Sequence, residues 1–445
     1  MVIDLSTPAI LDRPTIDIKF RFINGDGTEV KKIDRNWGTI FTKFDFKAMM
    51  NGGYTVEAIF ADAHFANMDD LIVDGYFSVS RKSILEMKFK IKGNAESNEI
   101  QTDTQIAYVT NIEAIGESEN SASIKLTAID PPSWFLNVGN ASGKAYKGRV
   151  SQIIKNVTKE YAPLIKLDIS ETKDSSDTYW YMMRQDPKTF IMSILEWGSS
   201  VTQSKTNWMI QSNGLNLSIK EQGKLPSKPR AYLTRQANKA STILNWSYVA
   251  DNTINILTSK LITQGISRVS GQYLDSITDQ KHNKVVVDDD TTGNKLTADT
   301  TNKQSFSKSG INKYPTVGYT NISSIPEIYS AGDLGIRYDE YIDGRARSLW
   351  LGLANRAMRV KFECVGHHIW NSCEGLGSDT VFVKWTRPSG TVDGGSNLWF
   401  MTGNWLVYGF HHVVTRGLWT TNLYCTRYDY DANSTKVGYR SSNSD

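Results

Sequence analysis

Two distant stretches of the chain share one layout, and this repetition constrains the fold more than any other feature. Residues 405–428 contain two runs dense in β-branched and aromatic residues, separated by the Arg416-Gly417 dipeptide. That pattern predicts a β-hairpin. Residues 108–129 repeat the plan, with an apolar run on either side of a Gly-Glu-Ser turn, and an acidic residue, Asp130 or Asp429, follows each hairpin. The repetition predicts two copies of one β building block.

Length and net charge limit the number of domains and the classes of function that are consistent with this chain. The chain has 445 residues, of which 40% are hydrophobic, enough for several domains with their own cores. Lys and Arg number 50 against 47 Asp and Glu, a net charge of +3. So small a charge does not by itself indicate binding to nucleic acid or to a membrane surface.

The cysteines and the N-terminal residues indicate the cellular compartment in which the chain is expected to fold. The three cysteines, Cys364, Cys373 and Cys425, are few, odd in number and late in the chain, so we expect no disulfide framework and folding in a reducing cytoplasm. Asp4 and Asp12 stand where a signal peptide needs an uninterrupted apolar run. There is no run of roughly 18 apolar residues, so no membrane-spanning segment is predicted.

The first predicted domain, residues 1–134, is rich in strands. Ile16, Ile18, Phe20 and Phe22 alternate with polar residues, as in a half-buried strand. Further strands are predicted at 39–46, 54–60, 85–92 and in the hairpin 108–129. The two prolines after Asp130 end the strand ladder.

A middle domain of mixed α and β structure is predicted for residues 135–225. Apolar residues at helical spacing predict an amphipathic helix over 150–161. Asp186-Pro187 is a helix start, and that second helix should end at Gly198. Asn213-Gly214 predicts the turn of a hairpin.

The second β domain is predicted at residues 226–432. It contains a polar stretch at about 271–340 that resembles an extended loop or insertion, and a Ser- and Asn-rich tail over 433–445 that is expected to be flexible. The other predicted elements are a helix at 346–357 and strands at 253–261, 359–362, 380–385 and 398–401.

One cluster carries the residue types of a metal site. Its members are Cys364, His367, His368 and Cys373, with His411, His412 and Cys425 downstream. The spacing matches no zinc pattern, and the acidic run 288–290 lacks the glycine and distal glutamate of a calcium loop. We therefore expect neither a metal nor a cofactor. No motif with a catalytic mechanism is present, so the chain is not expected to be an enzyme.

Charge patterning singles out one strand. Lys88, Lys90 and Lys92 alternate with Met87, Phe89 and Ile91. One strand face is thus apolar and the other basic. The simpler interpretation is a solubilising or guarded edge, and the functional one is a face that lines a lumen or forms a ring interface. We call these three lysines the lysine face.

Several segments resemble the central baseplate hub proteins of contractile-tailed bacteriophages. The resemblance is most distinctive in residues 130–221, and the hairpin region 403–428 resembles the closing hairpin of those hubs. The segments that carry it are 130–137 (DPPSWFLN), 146–150 (YKGRV), 180–190 (WYMMRQDPKTF) and 215–221 (LNLSIKE).

The resemblance implies a mainly β fold with a smaller α+β part, in which two tube-like β-barrel domains flank an inserted α+β middle domain. It implies a homotrimeric symmetry adaptor that joins a sixfold tail tube protein to a threefold central spike protein and forms part of the DNA ejection channel. The implied partners also include other baseplate proteins, the tape measure protein and, transiently, DNA. The implied location is the tail baseplate of the virion, after assembly in the host cytoplasm.

Two other functions stay open at this point. The first is the hub of a contractile injection or type VI-like secretion apparatus, which a spike fused to the same chain distinguishes; a chain that ends in a flexible tail favours the separate phage component. The second is a tail-associated cell-wall hydrolase, which cleavage of peptidoglycan identifies.

Overall fold

The structure is a computed structural model of the chain. It describes residues 3–4, 12–33, 35–63, 69, 71, 83–95, 98–118, 121–138, 143–172, 178–182, 185–195, 208–221, 228–235, 242–249, 268–275, 280–287, 317–321, 328–330, 359–367, 370–385 and 401–426.

Most of the described residues lie in strands. In chain order these are β1 (Ile3–Asp4), β2 (Asp12–Ile23), β3 (Glu29–Ile33), β4 (Phe41–Met49), β5 (Gly53–Ala63), β6 (Ile84–Ala95), β7 (Asn98–Gln101), β8 (Gln105–Ser118), β9 (Ser121–Ile129), β10 (Lys144–Lys147), β11 (Lys166–Ile169), β12 (Thr178–Met182), β13 (Trp208–Asn213), β14 (Asn216–Glu221), β15 (Ala231–Arg235), β16 (Ile243–Val249), β17 (Arg268–Asp275), β18 (Gln280–Val287), β19 (Val317–Asn321), β20 (Ile328–Ser330), β21 (Arg359–Val365), β22 (Thr380–Trp385), β23 (Gly403–Thr415) and β24 (Trp419–Thr426). The helices are α1 (Pro131–Val138), α2 (Val150–Tyr161) and α3 (Pro187–Leu195), with a 3-10 turn at Trp37–Thr39.

The mainly β fold is confirmed, and its main feature is one sheet of 15 strands. Strands from both predicted β domains belong to it, because β23 pairs antiparallel with β4 from Gly409 opposite Met49 to Thr415 opposite Lys43. We call this β23–β4 pairing the seam. The sequence predicted two similar units but not the shared sheet that joins them.

The strands of the first predicted domain form as expected. The period-two pattern of β2 places Ile16, Ile18, Phe20 and Phe22 in the core with at most 2% of each exposed. Burial of such side chains stabilises the sheet by about 1.5–3 kcal/mol each. The strand ladder does end at Asp130, but a helix that was not predicted, α1, begins directly at Pro131.

The apolar side chains form two clusters. The larger fills the space enclosed by the main sheet and spans residues of both predicted β domains, from Ile16 to Cys425. The smaller packs α1, α2 and α3 against the strands of the middle region. The domain boundaries at 134, 225 and 432 stay predictions.

Both middle helices form where the sequence predicted them. In α2, the apolar face is buried at Val150, Ile153, Ile154 and Val157. Helix α3 begins at Pro187, and Asp186 caps it by accepting a hydrogen bond from the backbone N–H of Thr189 at 2.8 Å.

The predicted hairpin of the middle region is displaced by one residue. Asn213 lies opposite Asn216, so the two-residue turn is Gly214-Leu215 and not Asn213-Gly214. Gly214 has φ +55°, the left-handed value that the first residue of such a turn requires and that glycine adopts without strain.

The predicted strands at 359–362 and 380–385 correspond to β21 and β22. Of the two interpretations of residues 271–340, the extended loop is wrong for the residues that form strands, because β17 pairs with β18 and β19 in a separate sheet and β20 pairs with β12. The insertion stays a prediction. Ladder hydrogen bonds form between polar strands too, so hydropathy gave no signal for them. Several predictions lie outside the described residues: the strand at 253–261, the helix at 346–357, residues 398–400, the tail at 433–445, Gly198, the acidic run 288–290 and Asp429.

Candidate assembly surfaces

The lysine face lies on β6 as its alternation predicted. Met87, Phe89 and Ile91 point into the core with at most 1% of each exposed. Lys88, at 39% exposed, and Lys92, at 31%, lie on the opposite side of the strand. Strand β6 therefore has one apolar and one polar face.

The lysine face is less basic than the strand sequence alone indicated. Glu86, on the same side of β6, lies 3.7 Å from the Nζ of Lys88 and also accepts two hydrogen bonds from Arg21 on β2. Asp17, also on β2, lies 2.7 Å from the Nζ of Lys92, and this hydrogen bond lowers the pKa of the Asp17 carboxyl. Each end of the lysine face thus carries an acidic partner. Its place at a lumen or a ring interface stays a prediction.

A second charged face runs across the seam. It was not predicted from the sequence. Its residues alternate with buried apolar ones in the same period-two pattern as β6, so the signal was present in 41–49 (FTKFDFKAM). We call it the ladder face, and its residues are Lys43, Asp45, Lys47, Glu57, Lys125 and His411.

Asp45 and Glu57 in the ladder face each contact basic residues of the same or a neighbouring strand. Asp45 lies 2.5 Å from the Nζ of Lys43 and 3.5 Å from the Nε2 of His411, which is on the other side of the seam. Lys125 on β9 lies 3.1 Å from Glu57 on β5. Burial by itself raises the pKa of Asp45, but hydrogen bonds from His411 and Lys43 outweigh it, so that pKa lies below the ordinary value.

The two charged faces point in opposite directions. Phe44 and Phe46, which project inward from β4, each lie 5.1 Å from the ring of Phe89, which projects inward from β6. Strands β4 and β6 are therefore opposite walls of one core. Lys43 and Asp45 face away from that core on one side and Lys90 on the other.

The two repeated hairpins point the same way. Strands β9, β4 and β24 run in the same direction, because each is separated from the next by one antiparallel neighbour. The β8–β9 turn and the β23–β24 turn precede two of these strands, so both lie at the same end of the sheet. The predicted repeat thus has matching orientation within one sheet.

The opposite end of the sheet is fixed to the middle region around Asp130. This carboxylate accepts hydrogen bonds from the backbone N–H groups of Tyr54 and Ser133, both at 3.0 Å. Lys188 on α3 donates to the Ser133 hydroxyl at 2.9 Å and to the carbonyl of Gly52 at 3.4 Å. Burial raises the pKa of Asp130. These contacts orient α1 and α3 against the β4–β5 turn.

The Cys and His residues of the predicted cluster are separated by the strand geometry. His411 faces outward in the ladder face, and His412 is fully buried. His412 contacts the carbonyl of Trp370 through Nε2 at 2.5 Å and the Thr421 hydroxyl through Nδ1 at 2.8 Å. His368 lies outside the described residues.

The three cysteine thiols are free and buried. Among the described residues, no three or more His, Cys, Asp or Glu side chains are grouped in a way that would hold a metal ion. Nor does any described helix combine the length and the apolar character needed to cross a membrane.

The chain shares its fold with solved phage tail proteins and with a chain of a PdpA-VgrG complex, at sequence identities of 10–12%. No protein-family model matches the chain, and no curated protein matches it.

The individual matches cover nearly the whole chain. A tail protein from Neisseria meningitidis MC58 aligns over 94% of this chain and 99% of its own, with a TM-score of 0.51 and 12% identity. The 43 kDa tail protein of prophage MuSo2 from Shewanella oneidensis aligns over 93% and 99%, with a TM-score of 0.50 and 11% identity. A Francisella PdpA-VgrG complex aligns over 94% of this chain and 53% of the matched one, with a TM-score of 0.53 and 10% identity. The expected fold, that of phage tail proteins, is thus confirmed.

Proposed function

We propose that the chain is the structural hub of a phage tail baseplate. In this proposal three copies form a ring that joins the sixfold tail tube protein to the threefold central spike protein. The ring also forms part of the channel through which DNA leaves. Other baseplate proteins and the tape measure protein contact it, and its location is the virion tail after assembly in the host cytoplasm.

One observation carries the proposal: two similarly built hairpins, β8–β9 and β23–β24, lie in one sheet with their turns at the same end. A symmetry adaptor needs repeated surfaces of one orientation, since contacts of one type require matching surfaces. Two such surfaces in each of three chains can meet a sixfold partner. The shared fold with phage tail proteins supports the same role.

The proposal is tested by the mass of the purified protein in solution and by class averages of any ring that it forms. A trimer that binds purified tube and spike proteins at opposite ends is the expected result. A strict monomer that associates with neither partner contradicts the hub. Replacement of Lys88, Lys90 and Lys92 by Gln then tests whether the lysine face contributes to either contact, with Lys220→Gln, on the exposed pair with Asp168, as the matched control.

The match to the VgrG complex favours a second candidate, the hub of a contractile injection or type VI-like secretion apparatus. The two candidates differ in the partner. Retention on a purified phage tube and incorporation into phage particles indicate the virion component, whereas incorporation only into a secretion apparatus indicates the second.

A purely structural role is part of the proposal. Peptidoglycan that stays intact with the purified ring is the expected result, whereas measurable cleavage supports a tail-associated hydrolase instead.

A further inference from the structure

The chain contains three asparagine-glycine pairs, Asn24-Gly25, Asn51-Gly52 and Asn213-Gly214. Each lies where one antiparallel strand turns into the next, at the β2–β3, β4–β5 and β13–β14 connections. In such a pair the glycine nitrogen attacks the asparagine carboxamide with little obstruction, because glycine has no Cβ. The structure places the three pairs in different environments and so separates their reactivities, which are alike in the sequence.

The reaction converts asparagine into an acid. The glycine nitrogen gives its proton to a base in the solvent and forms a bond to the asparagine Cγ, while the bond from Cγ to Nδ2 breaks and ammonia leaves. Water then opens the cyclic imide at one of its two carbonyl groups. One opening gives aspartate. The other gives isoaspartate, in which the backbone runs through the side chain and is longer by one methylene group.

Both reacting groups are accessible at Asn24-Gly25. Within the described part of the chain, the backbone nitrogen of Gly25 makes no hydrogen bond, and a Cβ added at Gly25 would meet nothing within 4 Å. The Asn24 carboxamide donates one exposed hydrogen bond, from Nδ2 to the Thr28 hydroxyl at 3.0 Å. Water replaces an exposed bond of this kind at little cost, so neither group is held back from the other.

The adjacent Asp26-Gly27 pair carries the same chemistry, but its contacts oppose it. The Gly27 nitrogen donates to the carbonyl of Asn24 at 2.9 Å. The Thr28 hydroxyl and backbone N–H donate to the Asp26 carboxylate at 2.6 and 2.9 Å and lower its pKa. An ionised carboxylate resists attack at its carbon, so Asn24 is the reactive residue of this turn.

The fold blocks the reaction at Asn51-Gly52. The Gly52 nitrogen donates to the carbonyl of Met49 at 3.1 Å. The Asn51 carboxamide is held by β13: its Oδ1 accepts from the Ile210 N–H at 2.7 Å, and its Nδ2 lies 3.5 Å from the carbonyl of Trp208. Ring closure would break the contacts that join the β4–β5 turn to the middle region.

Asn213-Gly214 is also restrained. Asn213 is half-buried and lies opposite Asn216 in the β13–β14 ladder. Its carboxamide donates to Glu374 at 3.4 Å. Ring closure requires rotation of the backbone between Asn213 and Gly214, and a residue paired in a ladder does not rotate without losing its hydrogen bonds.

We propose that Asn24 is a site of spontaneous deamidation in the folded protein, whereas the fold protects Asn51 and Asn213. The inference goes beyond the proposed function and does not depend on it, since only the geometry of the three turns enters.

Deamidation changes a turn that touches the middle region. The product places a negative charge beside Asp26, and isoaspartate lengthens a backbone whose present length allows Asn24 to donate to the carbonyl of Thr28 at 2.9 Å. A Cβ atom added at Gly27 would lie 3.4 Å from Leu164, so the altered turn lies against the segment that follows α2. Preparations of the protein should therefore become heterogeneous in charge at this turn as they age.

Peptide mapping by mass spectrometry tests the proposal. In native protein kept at pH 8, Asn24 should turn into a mixture of aspartate and isoaspartate. Asn51 and Asn213 should react at least about tenfold more slowly, because several hydrogen bonds must break first. In urea all three should react at comparable rates, since glycine follows each of them.

Two results of this mapping overturn the proposal. One is native reaction at Asn51 or Asn213 as fast as at Asn24. The other is the same ranking in urea as in the native protein, since the sequence around each pair rather than the fold would then set the rates.

The variant Gly25→Ala gives a second test. Gly25 does not have the left-handed φ of other turn glycines, and its added Cβ has open space, so the fold is retained. The methyl group obstructs the attacking nitrogen, and deamidation of Asn24 should slow several-fold. Gly417→Ala, also in open space, is the matched control and should keep the wild-type rate, with thermal unfolding to check both folds. Deamidation of Asn24 at the wild-type rate in Gly25→Ala overturns the assigned reaction.

Discussion

His411 on β23 lies 3.5 Å from the carboxylate of Asp45 on β4, a contact that crosses the seam between the two halves of the main sheet. The same carboxylate also contacts Lys43. A histidine and a lysine on different strands therefore share one acid. The geometry makes Asp45 the residue at which the stability of the seam is most directly tested.

Replacement of Asp45 by Asn should lower the free energy of unfolding by about 0.5–1 kcal/mol, since the pair is partly exposed and screened by solvent. The pKa of Asp45 is lowered in the folded chain, so its contribution is present above the ordinary value of 3.8 and is lost as the pH falls below it. Urea unfolding at several pH values measures both effects. Asp168→Asn, in a more exposed pair with Lys220, is the matched control and should change little; equal losses in both variants contradict the seam contact.

Folding stability should fall in acid because of His412. Burial lowers the pKa of His412 to about 4 from an ordinary 6.5, so the unfolded chain takes up a proton at a pH where the folded chain does not. Protonation of His412 does not affect the free energy of unfolding well above pH 6.5. As the pH falls from 6.5 towards 4, that free energy decreases by about 3 kcal/mol. A proton on Nδ1 would also face the indole N–H of Trp419, which donates to that atom at 3.2 Å.

The measurement compares urea unfolding of the wild type and His412→Gln between pH 4 and 7. The variant is less stable overall and should show a flatter dependence on pH. Lys220→Gln, on the exposed pair with Asp168, should keep the wild-type slope. If the free energy of unfolding depends on pH in the same way in the wild type and in His412→Gln, His412 is not the cause of the loss of stability in acid.

Gly53→Ala should destabilise the junction with the middle region by about 2–3 kcal/mol. Gly53 has φ +73°, and a Cβ atom there would lie 2.1 Å from the Oδ1 of Asp130. The clash displaces the carboxylate that accepts hydrogen bonds from Tyr54 and Ser133. Thermal unfolding checks this, with Gly417→Ala as control because nothing lies within 4 Å of its added Cβ. A variant as stable as the control contradicts the packing at this corner.

The cysteines should be unreactive in the native protein. At most 1% of Cys364, Cys373 and Cys425 is exposed, and burial raises the pKa of Cys373 to about 12 and those of the other two as well. Since the thiolate is the reactive form, iodoacetamide at pH 8 should label none of the three, and all three in urea. Rapid labelling of the folded chain contradicts the burial of at least one of them.

Local sequence patterns predicted the structure correctly wherever contacts within a few residues determine it. The alternation in β2 and β6 predicted which side chains enter the core, and Asp186-Pro187 predicted the start of α3, because a cap acts on residues within one turn. Strands β17, β18 and β19 were not predicted, because polar residues form the hydrogen bonds of a sheet without giving a hydropathy signal. The ladder face was missed because its charged residues come from four strands, and only their assembly makes them one surface.

Local sequence patterns predicted the strand-rich class, the repeated hairpins, the middle helices and the alternation that produces the lysine face, since each depends on side-chain period and on contacts within a few residues. The remaining features depend on long-range packing. The seam joins residues 43–49 to 409–415, and which strands become neighbours depends on the packing of the whole core rather than on any local preference. For the same reason, only the fold could place the ladder face and the lysine face on opposite sides.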